Sequence, residues 1–179
     1  MWTRILAPAL LTLALAGTAA AQQTDLQIFR NVQRQVLSYP HFTVFDSVHV
    51  RIDEGTLTLS GKVTMPFKRS DLEQRVRKVK GIQTVDNRLD VLPASKFDDE
   101  LRNGIANAIY GNSAFVNYAN QVNPPIHIVV ERGRVTLEGV VANKLDRQLA
   151  YSIAAMFPAF AVKNELRTEE EVREELKKL

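Results

Sequence analysis

The chain has 179 residues, with 23 Lys and Arg against 20 Asp and Glu, and no cysteine. A formal net charge of +3 falls well short of the basic excess of nucleic-acid-binding domains, and the missing thiols exclude disulfides, thiolate metal sites and lipid attachment at a cysteine. Charge is divided unevenly, with 11 basic and 8 acidic side chains over residues 24–93 but 11 and 12 over 96–179, so the two halves are expected to differ in electrostatic partners.

Residues 1–21 read as a cleaved export signal. They hold one cation, Arg4, then an apolar run from Ile5 to Ala16, then Ala19-Ala20-Ala21 ahead of Gln22, the small-residue pattern of a cleavage site. The run is too short for the ~20 apolar residues of a membrane-spanning helix. The processed chain is expected to be exported, periplasmic or secreted, and soluble.

Thr24 then opens a helix with Gln27 at capping-box spacing, and Ile28 or Phe29, Val32 and Val36 recur at helical intervals up to Tyr39-Pro40. In VHVRI (48–52), Val48, Val50 and Ile52 share one face while His49 and Arg51 take the other. Asp53-Glu54-Gly55 is turn chemistry, and Leu57, Leu59 and Val63 return on a second strand. A second helix has Leu72, Val76 and Val79 on its buried stripe, and VDNRLDV supplies a last strand through Val85, Asn87 and Leu89. After Leu92-Pro93-Ala94 the same order is written again. Ser95 opens a helix marked by Leu101, Ile105 and Ile109; Ile126, Ile128 and Val130 turn at Arg132-Gly133 into Val135, Leu137 and Val141. Leu149, Ile153 and Met156 mark the next helix, and Val162, Asn164 and Leu166 the closing strand.

The fold class is therefore α+β, two tandem α-β-β-α-β units over 24–93 and 95–168, each a small mixed three-stranded sheet with two helices on one face. The second copy is longer in NYANQVNPP (117–125), read as a surface loop. Residues 169–179, EEEVREELKKL, form a charged helical tail with Glu169–Arg173 and Glu174–Lys178 at i,i+4; it docks on the second unit or frays. Each unit of roughly 70 residues is marginal alone, and the linker is short, so the units are expected to pack together.

The ordered set VHVRIDEGTLTLSGKV with GIQTVDNRL, and IHIVVERGRVTLEGVV with PAFAVKNEL, resembles the BON domain of bacterial envelope proteins. That resemblance implies a periplasmic or envelope-associated α+β module; the absence of an enzymatic activity and of a cofactor is expected from the residues themselves. The resemblance also implies association with phospholipid, support of envelope integrity under osmotic stress, or attachment of larger assemblies. The second copy departs from the pattern where Pro158 stands in place of Gly81, ending its helix by another route.

No catalytic constellation is visible. The only histidines are His41, His49 and His127, without a Gly-x-Ser-x-Gly or phosphate-binding loop; His49 and His127 fall on the outward, solvent-facing side of equivalent strands. Gly55, Gly61, Gly81, Gly133 and Gly139 read as structural: Gly55 and Gly133 in hairpin turns, Gly81 where a helix turns into a strand, Gly61 and Gly139 where a bulge or a close helix approach leaves no room for a side chain. Two surfaces could bind. Lys68, Arg69, Arg75, Arg77, Lys78 and Lys80 crowd 66–81 against only Asp71 and Glu73, giving either a contact for anionic phospholipid or a solvated helix face. On the matching helix, Tyr151, Ala154, Ala155 and Phe157 extend the apolar surface beyond the core stripe. They would pack on the first unit, join a second copy, or enter a lipid headgroup layer. Two functions follow: a peripheral phospholipid-binding envelope module, or a protein-binding structural or chaperone-like adaptor.

Overall fold

The computed structural model describes residues 25–53 and 55–177; the export signal and the Thr24 cap lie outside them. The first unit contains α1 (Asp25–Leu37), β1 (Ser47–Asp53), β2 (Thr56–Val63), α2 (Pro66–Val76) and β3 (Thr84–Val91). The second contains α3 (Lys96–Tyr110), a short 3-10 turn at Ser113–Phe115, α4 (Val116–Ala119), β4 (Ile126–Glu131), β5 (Arg134–Val141), α5 (Lys144–Ala154) and β6 (Ala161–Thr168); α6 (Glu169–Leu176) follows. Each unit is a mixed sheet in the order β1-β2-β3 or β4-β5-β6, antiparallel in its hairpin and parallel at its last strand. No helix among the described residues is long and apolar enough to cross a membrane.

Each core forms where periodicity aligns an inner helical stripe with the inner strand face. Ile28, Val32, Val36, Leu57, Leu59, Leu72, Val76 and Leu89 make the first; Leu101, Ile105, Ile109, Ile126, Ile128, Leu137, Ile153 and Leu166 the second. Ser95 caps α3, its side chain accepting from the Asp98 amide. Asp98 accepts in turn from the amides of Arg132 and Gly133, locking the tight β4–β5 turn in which both residues have positive φ.

Two expectations for the second unit change. Met156 is 74% exposed, because α5 presents Ala150, Ile153 and Ala154 inward instead and Phe157 lies against Gly104 of α3, where a Cβ would sit 2.7 Å from the ring. The loop read over 117–125 is helical at its start: Phe115 just ahead of it is fully buried, and the Tyr118 hydroxyl joins Asp146 to the Ala142 amide. Pro158 leaves the closure intact. Phe160 N–H donates to Gly133 O at 2.8 Å, as Gln83 N–H does to Gly55 O at 2.9 Å, and β6 pairs with β5 as β3 does with β2.

Asn87 and Asn164, the same position in the two copies, tie each last strand to the helix before it. Their side-chain oxygens accept from the Leu89 and Leu166 amides, and their NH₂ groups donate to Arg69 O and Arg147 O. Backbone groups on both outer edges are thereby occupied, which blunts pairing with another chain. The tail is held by a capping box between Thr168 and Glu171 and by Arg147–Glu171 and Arg167–Glu175 ion pairs.

All five structural glycines have positive φ. At Gly61 and Gly139 the close neighbour is the adjacent strand rather than a helix: a Cβ would lie 2.3 Å from Ser47 O and 1.8 Å from Pro125 O. Gly139→Ala is therefore expected to destabilise the chain by about 2–3 kcal/mol, read as a lower urea midpoint at unchanged slope.

Candidate interaction surfaces

The units meet through residues 41–46, which lead from α1 into β1. Asp46 is fully buried. One carboxylate oxygen accepts from the Thr43 amide and hydroxyl and from Lys68 Nζ at 2.7 Å; the other accepts from the Thr64 amide and hydroxyl. Lys68 also donates to Thr64 Oγ1. This places Lys68 in the interior, and it cannot belong to an exposed basic face. A buried charge must be paired and hydrogen-bonded, and Lys68 sits four residues before Leu72 on the inner stripe, where Asp46 is its partner.

Held this way, the segment reaches into the second unit. Val44 O accepts from Ile128 N–H at 2.7 Å, closing a backbone group on the β4 edge. Phe45 packs on the second core, and Phe42 lies against the His127 ring with centroids 5.4 Å apart. The outward face of β4 is thus covered rather than solvated, whereas Lys163, Glu165 and Arg167 on the outward face of β6 stay exposed. Val129 on the outward face of β4 is buried, Lys62 pairs with Glu131, and Glu138 accepts from Ser47 Oγ and faces His49 Nε2 at 3.0 Å.

Burial dominates at His127 and pushes its pKa down; its Nδ1 has no hydrogen-bond partner among the described residues. At His49 the bond to Glu138 dominates and raises the pKa against desolvation. Burial alone would raise Glu138, but its bonds to His49 and Ser47 bring it below the ordinary value. Alternation places both histidines correctly on the outward faces; it does not reveal that the other unit covers His127.

The remaining basic residues divide. Arg75 is half-buried, donates to Gln35 O and Ser38 O at the end of α1, and lies over the Tyr39 ring. There it neutralises a helix C-terminus. Arg69 reaches Asn87 O, and Arg77 pairs with Glu73, which lowers the Glu73 pKa. Lys78 and Lys80 are exposed and make no side-chain hydrogen bond or ion pair among the described residues. Outward charge is thus concentrated at Arg77, Lys78 and Lys80, where α2 turns into β3.

On the second unit, α5 packs on α3, β5 and β6 of its own unit. Ala154 is fully buried in that core and Phe157 half-buried against α3, with Tyr151 half-buried and Ala155 exposed. Of the four expected interface residues, the fold consumes Ala154 outright. Apolar surface appears instead at Met156 and Phe160, 74% and 76% exposed, the latter 6.2 Å from the Phe97 ring. Met65 and Phe67 project at the start of α2. Between the units a groove of about 740 Å³ is walled by Pro40, Phe45, Met65, Leu92 and Pro93.

The BON domain family profile matches residues 24–93 and 112–170. Among solved structures, the C-terminal domain of CdsD, a structural protein of the type III secretion system of Chlamydia trachomatis, is 18% identical, covering 87% of this chain and 70% of that one with a TM-score of 0.34. A second CdsD structure from the same organism is 16% identical, covering 86% and 98%, with a TM-score of 0.30. No curated protein matches the chain.

Two outcomes follow from the seam. Asp46→Ala strands Lys68 without a counter-ion and should cost about 3–5 kcal/mol in denaturant unfolding; Lys68→Met should cost less, because Asp46 keeps its four hydroxyl and amide donors. For pH, His127 contributes stability above its ordinary value of 6.5 and loses it as pH falls below, whereas His49 contributes most below 6.5 and loses it as pH rises. In urea melts between pH 7 and about 5, His127→Leu should therefore lose less stability than the parent chain.

Proposed function

The chain belongs to the BON domain family, carrying two copies of the domain, and from that premise we propose that it is a non-enzymatic, envelope-associated binding module that docks peripherally on anionic phospholipid. In this role the exported protein supports envelope integrity under osmotic stress. The observation that carries the reading is the corner after α2, where Arg77, Lys78 and Lys80 all face solvent while the fold has already consumed Lys68 and Arg75. Each cation near an anionic surface contributes about 1 kcal/mol, and the attraction fades beyond a Debye length. Contact of this kind is loose, reversible and salt-dependent.

A second reading, a protein-binding adaptor, is favoured by the Met156–Phe160–Phe97 corner. This corner occupies the place in the second unit that the basic turn holds in the first. It predicts a crosslinked partner or suppressed client aggregation, with no dependence on lipid.

Flotation with phosphatidylethanolamine vesicles, with and without phosphatidylglycerol, at low and high salt, separates the two. Binding is expected only with the anionic lipid, and most of it at low salt. Neutralising Arg77, Lys78 and Lys80 to Gln should weaken it on the order of a hundredfold. Absence of vesicle binding under every condition would remove the lipid reading.

A further inference from the structure

Met65 and Phe67 flank Pro66 at the start of α2 and remain 50% and 47% exposed, although the helix turns Lys68, Leu72 and Val76 fully inward. Single exposed apolar side chains are ordinary; these two stand on either side of one proline, and the exposed Arg69 follows two residues after Phe67. At 3.6 residues per turn, Phe67 shares the outer stripe of α2 with Ser70 and Gln74, and the exposed Lys78 follows in the turn beyond the helix end. Phe67 is also held in place: its ring meets His41 edge-on at 5.6 Å, and His41 meets Tyr39 edge-on at 5.5 Å. The first turn of α2 has no acidic residue and no side-chain cap of its own; the carboxylate at its start is the buried Asp46, which faces inward on Thr64 and Lys68.

From this arrangement we propose that Met65 and Phe67 form an apolar anchor that enters the lipid interface, so that α2 lies along the membrane with its start inserted and its basic end on the headgroups. The inference rests on the phospholipid reading above and adds to it an attachment that salt does not screen. Anionic lipid is the occupant that fits, because the exposed cations over 66–81 without a carboxylate partner among the described residues are Arg69, Lys78 and Lys80. Both carboxylates of α2 are already engaged, Glu73 by Arg77 and Asn87 and Asp71 by the Tyr39 hydroxyl. Aromatic and thioether side chains flanked by cations suit the boundary between acyl chains and headgroups.

The full chain is tested on phosphatidylethanolamine vesicles containing phosphatidylglycerol, comparing Met65→Ser/Phe67→Ser with Arg77→Gln/Lys78→Gln/Lys80→Gln. Unchanged circular dichroism melts establish that both variants are folded. The anchor predicts residual binding of the parent chain at high salt that the Ser variant lowers roughly tenfold. It also predicts that Phe67→Trp retains binding and gives extra fluorescence, relative to the parent chain, that brominated acyl chains quench. If the Gln variant loses binding while the Ser variant keeps it, and the added fluorescence of Phe67→Trp is not quenched, the anchor is wrong and the electrostatic contact stands. If neither the parent chain nor any variant binds vesicles, both fall. If the Ser variant alters only sedimentation of the free chain, the surface serves a second copy and the proposal is overturned.

Discussion

A carboxylate that cannot reach water sets the terms for this molecule. Once Asp46 is buried, its lone pairs must be met from within, and they are met by two hydroxyls, two amides and the ammonium of Lys68. Those donors belong to three separate pieces: the segment before β1, the end of β2 and the first turn of α2. Satisfying one anion therefore fixes where the hairpin ends, how α2 enters, and the path of residues 42–45. Because Val44 and Phe45 lie on that path, the pose of the second unit depends on it as well. Breaking the cluster would loosen the seam before it melted either core.

The architecture is legible in the sequence because it is local. Periods of 2 and 3.6 residues, turn glycines and a Ser cap are short-range signals, and two copies at a near-constant spacing reinforce each other. The last strands are legible too, though not the job of their asparagines, since V-x-N-x-L says nothing about which amide the side chain closes. Position decides the misreadings. Lys68 counts as a surface cation by its charge, although its spacing from Leu72 and Val76 already puts it on the inner face; what cannot be read is a partner 22 residues earlier. Met156 follows the periodic stripe of the first copy, but Phe157 and the absent side chain of Gly104 roll the helix otherwise. The outward side of β4 alternates correctly, yet alternation describes a strand and not what comes to lie on top of it.

The two copies keep one backbone and exchange chemistry at one corner. Residues 77–83 read RKVKGIQ and residues 154–160 read AAMFPAF, and both segments close onto the hairpin glycine through the same backbone hydrogen bond. Gln83 lies over Gly55 where Phe160 lies over Gly133. The closure is supplied by main-chain groups and leaves the side chains free, which is why the fold tolerates proline for glycine there and cations for aromatics. Repetition keeps the backbone closure while the side chains around it diverge: Ala154 and Phe157 join the second core where Arg77 and Lys80 face solvent in the first.

The hydrogen bond from Ile128 to Val44 has a further meaning when the order of synthesis is considered. An edge strand with open amides invites pairing with other chains, and β4 is such a strand. Domains fold N-terminal first as the chain is made, so the segment that carries Val44 is in place before β4 emerges. The first unit thereby acts as a built-in guardian for the second, offering a carbonyl to the edge as it forms.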